Sequence, residues 1–272
     1  MTDPSLRSLL DLATSIALEA GSLLSDMFSA GGPTQAVTDS IRTKTSRTDI
    51  VTEADKASER LIVSRLTAER PGDAILAEEG GATAGTSGLT WVVDPLDGTI
   101  NFVYGFPVFG VSIACRSRDA TLVGVVHDPT RGETFTAVAG SGAYRDGIQL
   151  TLGPGPEVGE ALVGTGFSYE SARRGAQGHL LARVLPHVRD IRRAGAAAID
   201  LCWVAAGRLD AHYEAGLAPW DLAAGSLVVT EAGGTVETLE GLLDHASGSV
   251  PTLLAAAPGL GGQLRNLLVG AR

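Results

Sequence analysis

Two aspartates three residues apart, Asp94 and Asp97, stand in the stretch Trp91-Val-Val-Asp94-Pro-Leu-Asp97-Gly-Thr99-Ile-Asn101-Phe102. Trp91, Val92 and Val93 read as the end of a strand, with Asp94 at its carboxyl end. Pro95 cannot donate to a ladder, so the strand is expected to stop there. Asp97-Gly98 then forms a turn, because glycine adopts backbone angles that other residues avoid. Two carboxylates held this close resist joint ionisation unless a cation sits between them. That points to a hard divalent ion with oxygen ligands. A surface turn with both aspartates solvated is the competing account, and the pair alone does not displace it.

Further acids stand at similar places. Glu78 and Glu79 follow the short strand expected at Ala74–Ala77, and side chains alternate there, so one can enter a cleft while the other points away. Asp55 is the fourth residue of Thr52-Glu-Ala-Asp55, a capping box that opens a helix running to Pro71-Gly72. Asp221 lies in the first turn of a helix that starts at Pro219-Trp220 and ends at Gly233-Gly234, where a carboxylate suits the helix dipole. Capping alone accounts for Asp55 and Asp221 taken singly.

The elements that must position these groups follow from periodicity. Residues 5–28 carry apolar side chains at helical spacing. Residues 34–50 are polar and read as a mobile loop with a short strand or turn, and residues 80–88 as an exposed loop. Strands are expected at Val108–Cys115, Leu122–Val126 and Thr134–Val138, with a hairpin at Gly140–Gly147. Residues 151–159, rich in Gly and Pro, link this half to a second one that alternates strand and helix. There a strand at Ala161–Gly164 leads into Gly164-Thr-Gly166, which has too few glycines for a dinucleotide fingerprint. A basic helix follows from Ser171 to Leu185. A helix led by Gly195 ends at Gly207, and a strand covers Ala211–Glu214. A strand near Leu253–Ala256 and a closing helix from about Leu260 complete the chain.

Composition narrows the function. The 272 residues carry 21 basic and 31 acidic side chains, a net charge of −10. Such a chain binds nucleic acid or anionic membrane poorly, and binds phosphate only where cations invert the local field. Cys115 and Cys202 lie in apolar runs and read as buried free thiols. No signal peptide or membrane-spanning run is visible, so a cytoplasmic protein is expected. The five histidines form no zinc motif, and neither a G-x-S-x-G elbow nor a P-loop occurs.

Taken together, Glu78, Asp94, Asp97 and Asp221 would make a polynuclear Mg²⁺ site that completes its shell with substrate phosphate. Thr99 and Asp55 could polarise an attacking water, Thr99 toward the water and Asp55 toward the hydroxyl. The Gly98 and Thr99 amides could face the phosphate.

The chain resembles the inositol monophosphatase family of Mg²⁺-dependent, Li⁺-sensitive phosphatases, with Thr165-Gly-Phe167 and Arg193-Ala-Gly195 closest to bacterial members. The resemblance rests on the stretch from Trp91 to Phe102 and on Trp220-Asp221-Leu-Ala-Ala-Gly225 with Val228-Val-Thr-Glu-Ala-Gly233-Gly234. Asp49-Ile-Val-Thr52-Glu-Ala-Asp55 and Leu76-Ala-Glu78-Glu79-Gly80 fall in the same order and spacing. It implies a layered α/β/α/β/α sandwich and a homodimer. Residues 1–272 would form one domain: an α+β half to about residue 155 with most metal ligands, and an α/β half with the substrate side and the last ligand. Glu78, Asp94 and the Leu96 carbonyl would hold a first ion, and Asp94, Asp97 and Asp221 a second. Glu78 with waters would hold a weaker third.

Catalytic roles would fall to Asp55, Thr99 and Glu78. Gly98 and Thr99 would hold phosphate. Gly195, Ala197, Glu214 and Ser168 would lie near the polyol, and Lys44 on a loop over the site. The implied activity is hydrolysis of inositol-1-phosphate or a related small polyol phosphate. Histidinol phosphate, fructose-1,6-bisphosphate and adenosine 3′,5′-bisphosphate are alternative substrates on the same fold. A regulatory, partner-binding role is a non-enzymatic alternative, supported only by Arg173 and Arg174 on the basic helix, which a solvated face explains better.

Overall fold

A computed structural model describes residues 4–31, 42–43, 50–243 and 250–270. Lys44 and most of the expected 34–50 loop therefore lie outside the described residues. The elements in chain order are α1 (Pro4–Gly31), β1 (Arg42–Thr43), β2 (Ile50–Val51), α2 (Glu53–Glu69), β3 (Ala74–Ala77), β4 (Gly81–Thr83), β5 (Thr90–Asp97) and α3 (Thr99–Val103). They continue with β6 (Gly110–Arg116), β7 (Thr121–Asp128), β8 (Glu133–Val138), β9 (Gly142–Arg145), β10 (Ile148–Leu150), β11 (Leu162–Thr165) and α4 (Ser171–Val184). The last are β12 (Asp190–Arg192), α5 (Ala197–Ala205), β13 (Ala211–Ala215), α6 (Pro219–Glu231), β14 (Thr235–Leu243), β15 (Val250–Ala256) and α7 (Gly261–Gly270).

The expected five layers are present. Eight strands form one sheet in the order β10-β9-β8-β7-β6-β5-β3-β4, antiparallel except between β3 and β5. Five form a second, ordered β12-β11-β13-β15-β14 and parallel only around β11. Alternation along the strands decides what each face buries. Trp91 and Val93 pack against α1 and α2 on the outer face of the large sheet. Val92, on the opposite face, meets α5 and α6, which also pack on Leu253 and Ala255 of the small sheet. Tyr213 and Leu254 point the other way, under α4 and α7. Asp94 shares the parity of Val92, so it faces the middle helical layer rather than water.

Three expectations needed correction. Pro95 does not end its strand: β5 runs to Asp97, with Asp94 paired to Ser112 and Asp97 to Gly110 across a register shift. The proline sits in that irregularity, where no ladder bond from its nitrogen is required. The expected 80–88 loop contains β4, which pairs with β3 as an edge strand. Thr235–Leu243, read only as part of the tail, is the long edge strand β14. The expected hairpin is present. Its tip is Asp146-Gly147, both at positive φ, the geometry a two-residue loop needs. Both cysteines are buried and free, and no helix among the described residues is long and apolar enough to cross a membrane.

A carboxylate-lined candidate active site

A cavity of about 400 Å³ opens where the end of β5, the start of α5, the end of β13 and the start of α6 meet. Glu78, Asp94, Leu96, Asp97, Gly98, Thr99, Ser168, Gly195, Ala197, Glu214 and Asp221 all line it. These are every described site candidate except Asp55, which lies one hydrogen bond behind.

The loop from Asp94 to Thr99 is braced from several sides. Asp94 accepts the Leu96 N–H at 3.1 Å, and Ser58 of α2 donates to the Pro95 carbonyl at 2.7 Å. Gly98 adopts φ 92°, and a β-carbon there would lie 2.9 Å from the Val108 carbonyl, so only glycine fits. Asn101 donates to the carbonyls of Val108 and Ala194 at 2.7 and 2.9 Å. It thereby ties the signature stretch to the chain just before Gly195. The Asp97 carboxylate accepts the N–H groups of Ala197 and Ala198 at 3.1 and 2.8 Å. It caps α5 from a hundred residues away, and the Ala197 amide is committed to it.

Asp55 is buried and held by two donors from Thr52, its N–H at 2.8 Å and its hydroxyl at 2.6 Å, both on Oδ2. Its other oxygen accepts the Thr99 hydroxyl at 2.8 Å, while the Leu96 carbonyl lies 3.1 Å from the same hydroxyl. A hydroxyl has one proton, and the shorter contact to the charged acceptor claims it. Burial raises the Asp55 carboxyl above its ordinary range, only partly offset by the bonds from Thr52 and Thr99.

Charge in the cavity is concentrated and strained. Burial, then the charges of Glu78, Asp97 and Asp221, push Asp94 well above the usual carboxylate range. Burial and Asp221 do the same to Asp97, against the bond from the Ala198 N–H. Among the described residues no three such side chains are gathered tightly enough to grip an ion as they stand. Asp97 is turned to α5 and Asp221 to the Ala218 N–H at 2.7 Å. The donor set is nevertheless selective: five carboxylates, with no histidine or cysteine on the cavity wall. Such a set fits a hard, oxygen-seeking divalent cation and disfavours zinc or copper.

The deciding comparison is with known families. The model of the "Inositol monophosphatase family" matches residues 5–267. The chain belongs to the inositol monophosphatase family. A relative, the inositol-1-monophosphatase of Mycobacterium leprae, is 42% identical over 92% of this chain and 89% of its own. The protein named Nus factor SuhB of Pasteurella multocida is 40% identical, covering 92% and 91%. The solved structure of Mycobacterium tuberculosis SuhB superposes with a TM-score of 0.81 at 38% identity over 99% of both chains.

Within this family fold, some cavity residues had no role assigned from sequence. Phe167, Tyr169 and Trp220 line the rim, and Arg193 is the one basic side chain on the wall among the described residues. Phe167, Tyr169 and Arg193 come from loops and Trp220 from the first turn of α6, and only the family-like motifs Thr165-Gly-Phe167, Arg193-Ala-Gly195 and Trp220-Asp221 hinted at them. The basic helix also reads differently in three dimensions. Arg174 donates to the carbonyls of Ser168 and Tyr169 at 2.9 and 3.2 Å, and Arg173 pairs with Glu170 at 3.4 Å. These arginines hold the rim loop that carries Ser168.

Proposed function

We propose that the protein is a Mg²⁺-dependent phosphate monoester hydrolase acting on inositol-1-phosphate or a related small polyol phosphate. One observation carries the reading: the Asp55–Thr99 pair abuts a cavity wall that gathers Glu78, Asp94, Asp97 and Asp221. The family is generally Mg²⁺-dependent, and the donor set fits. Glu78, Asp94 and the Leu96 carbonyl would hold one ion, Asp94, Asp97 and Asp221 a second, and Glu78 a weaker third. When bound, Mg²⁺ supplies neutralisation of phosphoryl charge and Lewis acidity toward a water.

The chain's own residues supply the rest. Thr99 donates its hydroxyl hydrogen bond to Asp55 and so keeps its lone pairs to accept a hydrogen bond from the attacking water. Asp55, raised by burial, takes up the proton more readily than a solvated carboxylate would. The Gly98 and Thr99 amides would receive phosphate oxygens, and both residues line the cavity. Arg193 adds a positive charge to the wall. Glu214, on the far side, can accept hydrogen bonds from substrate hydroxyls, which favours a polyol ester.

Residues 1–272 then act as one unit, because both halves contribute to the cavity. The resemblance extends this reading to a homodimer and to inhibition by Li⁺. Exposed Tyr104 and Phe106 provide apolar surface, and light scattering reads the mass.

The test is phosphate release with Mg²⁺ across inositol-1-phosphate, glycerol-2-phosphate, histidinol phosphate, fructose-1,6-bisphosphate and adenosine 3′,5′-bisphosphate. Inositol-1-phosphate is expected to be turned over fastest. Thr99→Ala should slow it by ~10² or more with Mg²⁺ half-saturation nearly unchanged. An unaltered rate removes the Thr99–Asp55 pair from the mechanism. Relatives named Nus factor favour a second, regulatory reading. Arg173 and Arg174 are engaged with the rim loop and offer it little, and a pulldown at physiological salt that retains no partner disposes of it.

A further inference from the structure

The Gly164-Thr-Gly166 segment, His212 and Asp200 are not used by the reaction above. His212 and Glu214 are two residues apart on β13, so their side chains share one face. That face meets α5, which carries Asp200. The His212 ring is fully buried, with Nε2 3.3 Å from Glu214 Oε2 and Nδ1 3.9 Å from Asp200 Oδ2. The Asp200 contact is too long for a hydrogen bond and neither ring nitrogen makes a well-formed one, so both are charge contacts to the buried ring.

The neighbouring strand is carved to receive this pair. Gly164 lies opposite His212 in the β11–β13 register, and a β-carbon on it would stand 2.7 Å from His212 Nδ1. A β-carbon on Gly166 would stand 2.0 Å from the Glu214 carboxyl carbon. The two glycines thus clear one space for the imidazole and one for the carboxylate it faces.

We propose that His212 is a positioning residue that, seated over Gly164 between Asp200 and Glu214, holds the Glu214 carboxylate in place to receive the substrate's hydroxyl groups. This rests on the reading of Glu214 as a polyol contact. A neutral imidazole has one N–H and would turn a lone pair toward one of the two acids, whereas the imidazolium offers N–H to both. The electrostatics agree. Burial works against the charged ring, yet Glu214 and Asp200 together raise His212 above its ordinary value. Burial lifts Asp200 to about 7, against the pull of His212, with Glu214 adding and Arg193 opposing. Asp200, Glu214 and, through Asp200, Arg193 are the charged groups that bear on the ring. The β15 partner of His212 is Ala255, which has no charge. His212 and Asp200 are the two shifted groups of the cluster, and they influence one another. Loss of the ring's proton at higher pH leaves Glu214 without its brace.

The full chain with Mg²⁺ tests this on two substrates, inositol-1-phosphate and p-nitrophenyl phosphate, from pH 6 to 9. His212→Phe is expected to raise KM for inositol-1-phosphate about tenfold, because Glu214 loses the ring that faces it and holds it. Its kcat and its p-nitrophenyl phosphate kinetics should stay within about threefold. Wild-type KM for inositol-1-phosphate should rise with pH more steeply than that of His212→Phe, and this difference cancels the substrate's own titration. His212→Gln, which keeps one N–H for Glu214, should recover most of the lost affinity, and it stands in should the Phe variant fold poorly. Equal damage to both substrates, or a pH dependence of KM shared by wild type and variant, overturns the proposal. A wild-type protein that hydrolyses neither ester overturns the phosphatase reading beneath it.

Discussion

Asp55 and Asp221 occupy the same position, the third residue of α2 and of α6, and each turns back to the N–H of its helix cap. Their surroundings differ. At α2 the cap is Thr52, whose hydroxyl and N–H both bind Asp55 Oδ2, while Oδ1 receives Thr99. At α6 the cap is Ala218, which has no oxygen to complete a reciprocal box, so only the return bond from its N–H is made. Asp55 is walled off behind Thr99, and Asp221 lines the cavity. A carboxylate clamped by three donors suits a proton acceptor that must stay in one place. One with a lighter clamp can turn toward an ion. Capping and chemistry are therefore not rival accounts of these residues, since one oxygen can serve the helix while the other serves the site.

The largest effect expected from breaking this comparison is at Asp55. Asp55→Asn should lower kcat by about 10³, because an amide cannot take the proton, while Mg²⁺ half-saturation and melting temperature change little. A comparable rise in Mg²⁺ half-saturation would show that Asp55 is a ligand instead. Asp221→Asn should behave the opposite way. The amide oxygen still caps α6, but titration with Mg²⁺ should show half-saturation raised by at least about tenfold, with turnover partly restored at high Mg²⁺. Thr52→Ala should cost about 1 kcal/mol in denaturant unfolding and reduce kcat, because Asp55 loses its clamp. The smallest change is Ala218→Ser, which supplies the missing half of the α6 box. It should raise the melting temperature by about 2 °C, the equivalent of under 1 kcal/mol for a chain of this size. A fall in Mg²⁺ affinity in that variant would show that a loosely held Asp221 is needed for binding.

Much of this was legible in the sequence because the signals are local. The Thr52–Asp55 box, the Asp-Gly turns and the apolar spacing of α1 each lie within a few residues of one another. Asp94, Asp97, Thr99 and Asp221 were legible because two long motifs carry them. What escaped was nonlocal or weakly patterned. β14 mixes Glu237, Glu240 and Gly241 into an edge strand that buries little beyond Leu239, Leu242 and Leu243, so no clean alternation marked it. Pro95 misled because a bulge hides its missing donor. Asp97 as the cap of α5, Asn101 as a tie to Ala194, and Asp200 beside His212 are tertiary facts. Of these only the last left a trace, a Gly-x-Gly whose strand lies beside a His-x-Glu.

The bond from Asp97 to the amides of Ala197 and Ala198 also bears on how the chain reaches its working form. Contacts between residues a hundred apart carry a high loop-closure cost and form late. The large sheet can assemble from the first half alone, through hairpins and short connections. The cavity cannot, because its acid from β5 is oriented by a helix synthesised a hundred residues later. Recovery of activity on refolding should therefore lag recovery of sheet structure. The interval between them measures the docking of α5 onto Asp97.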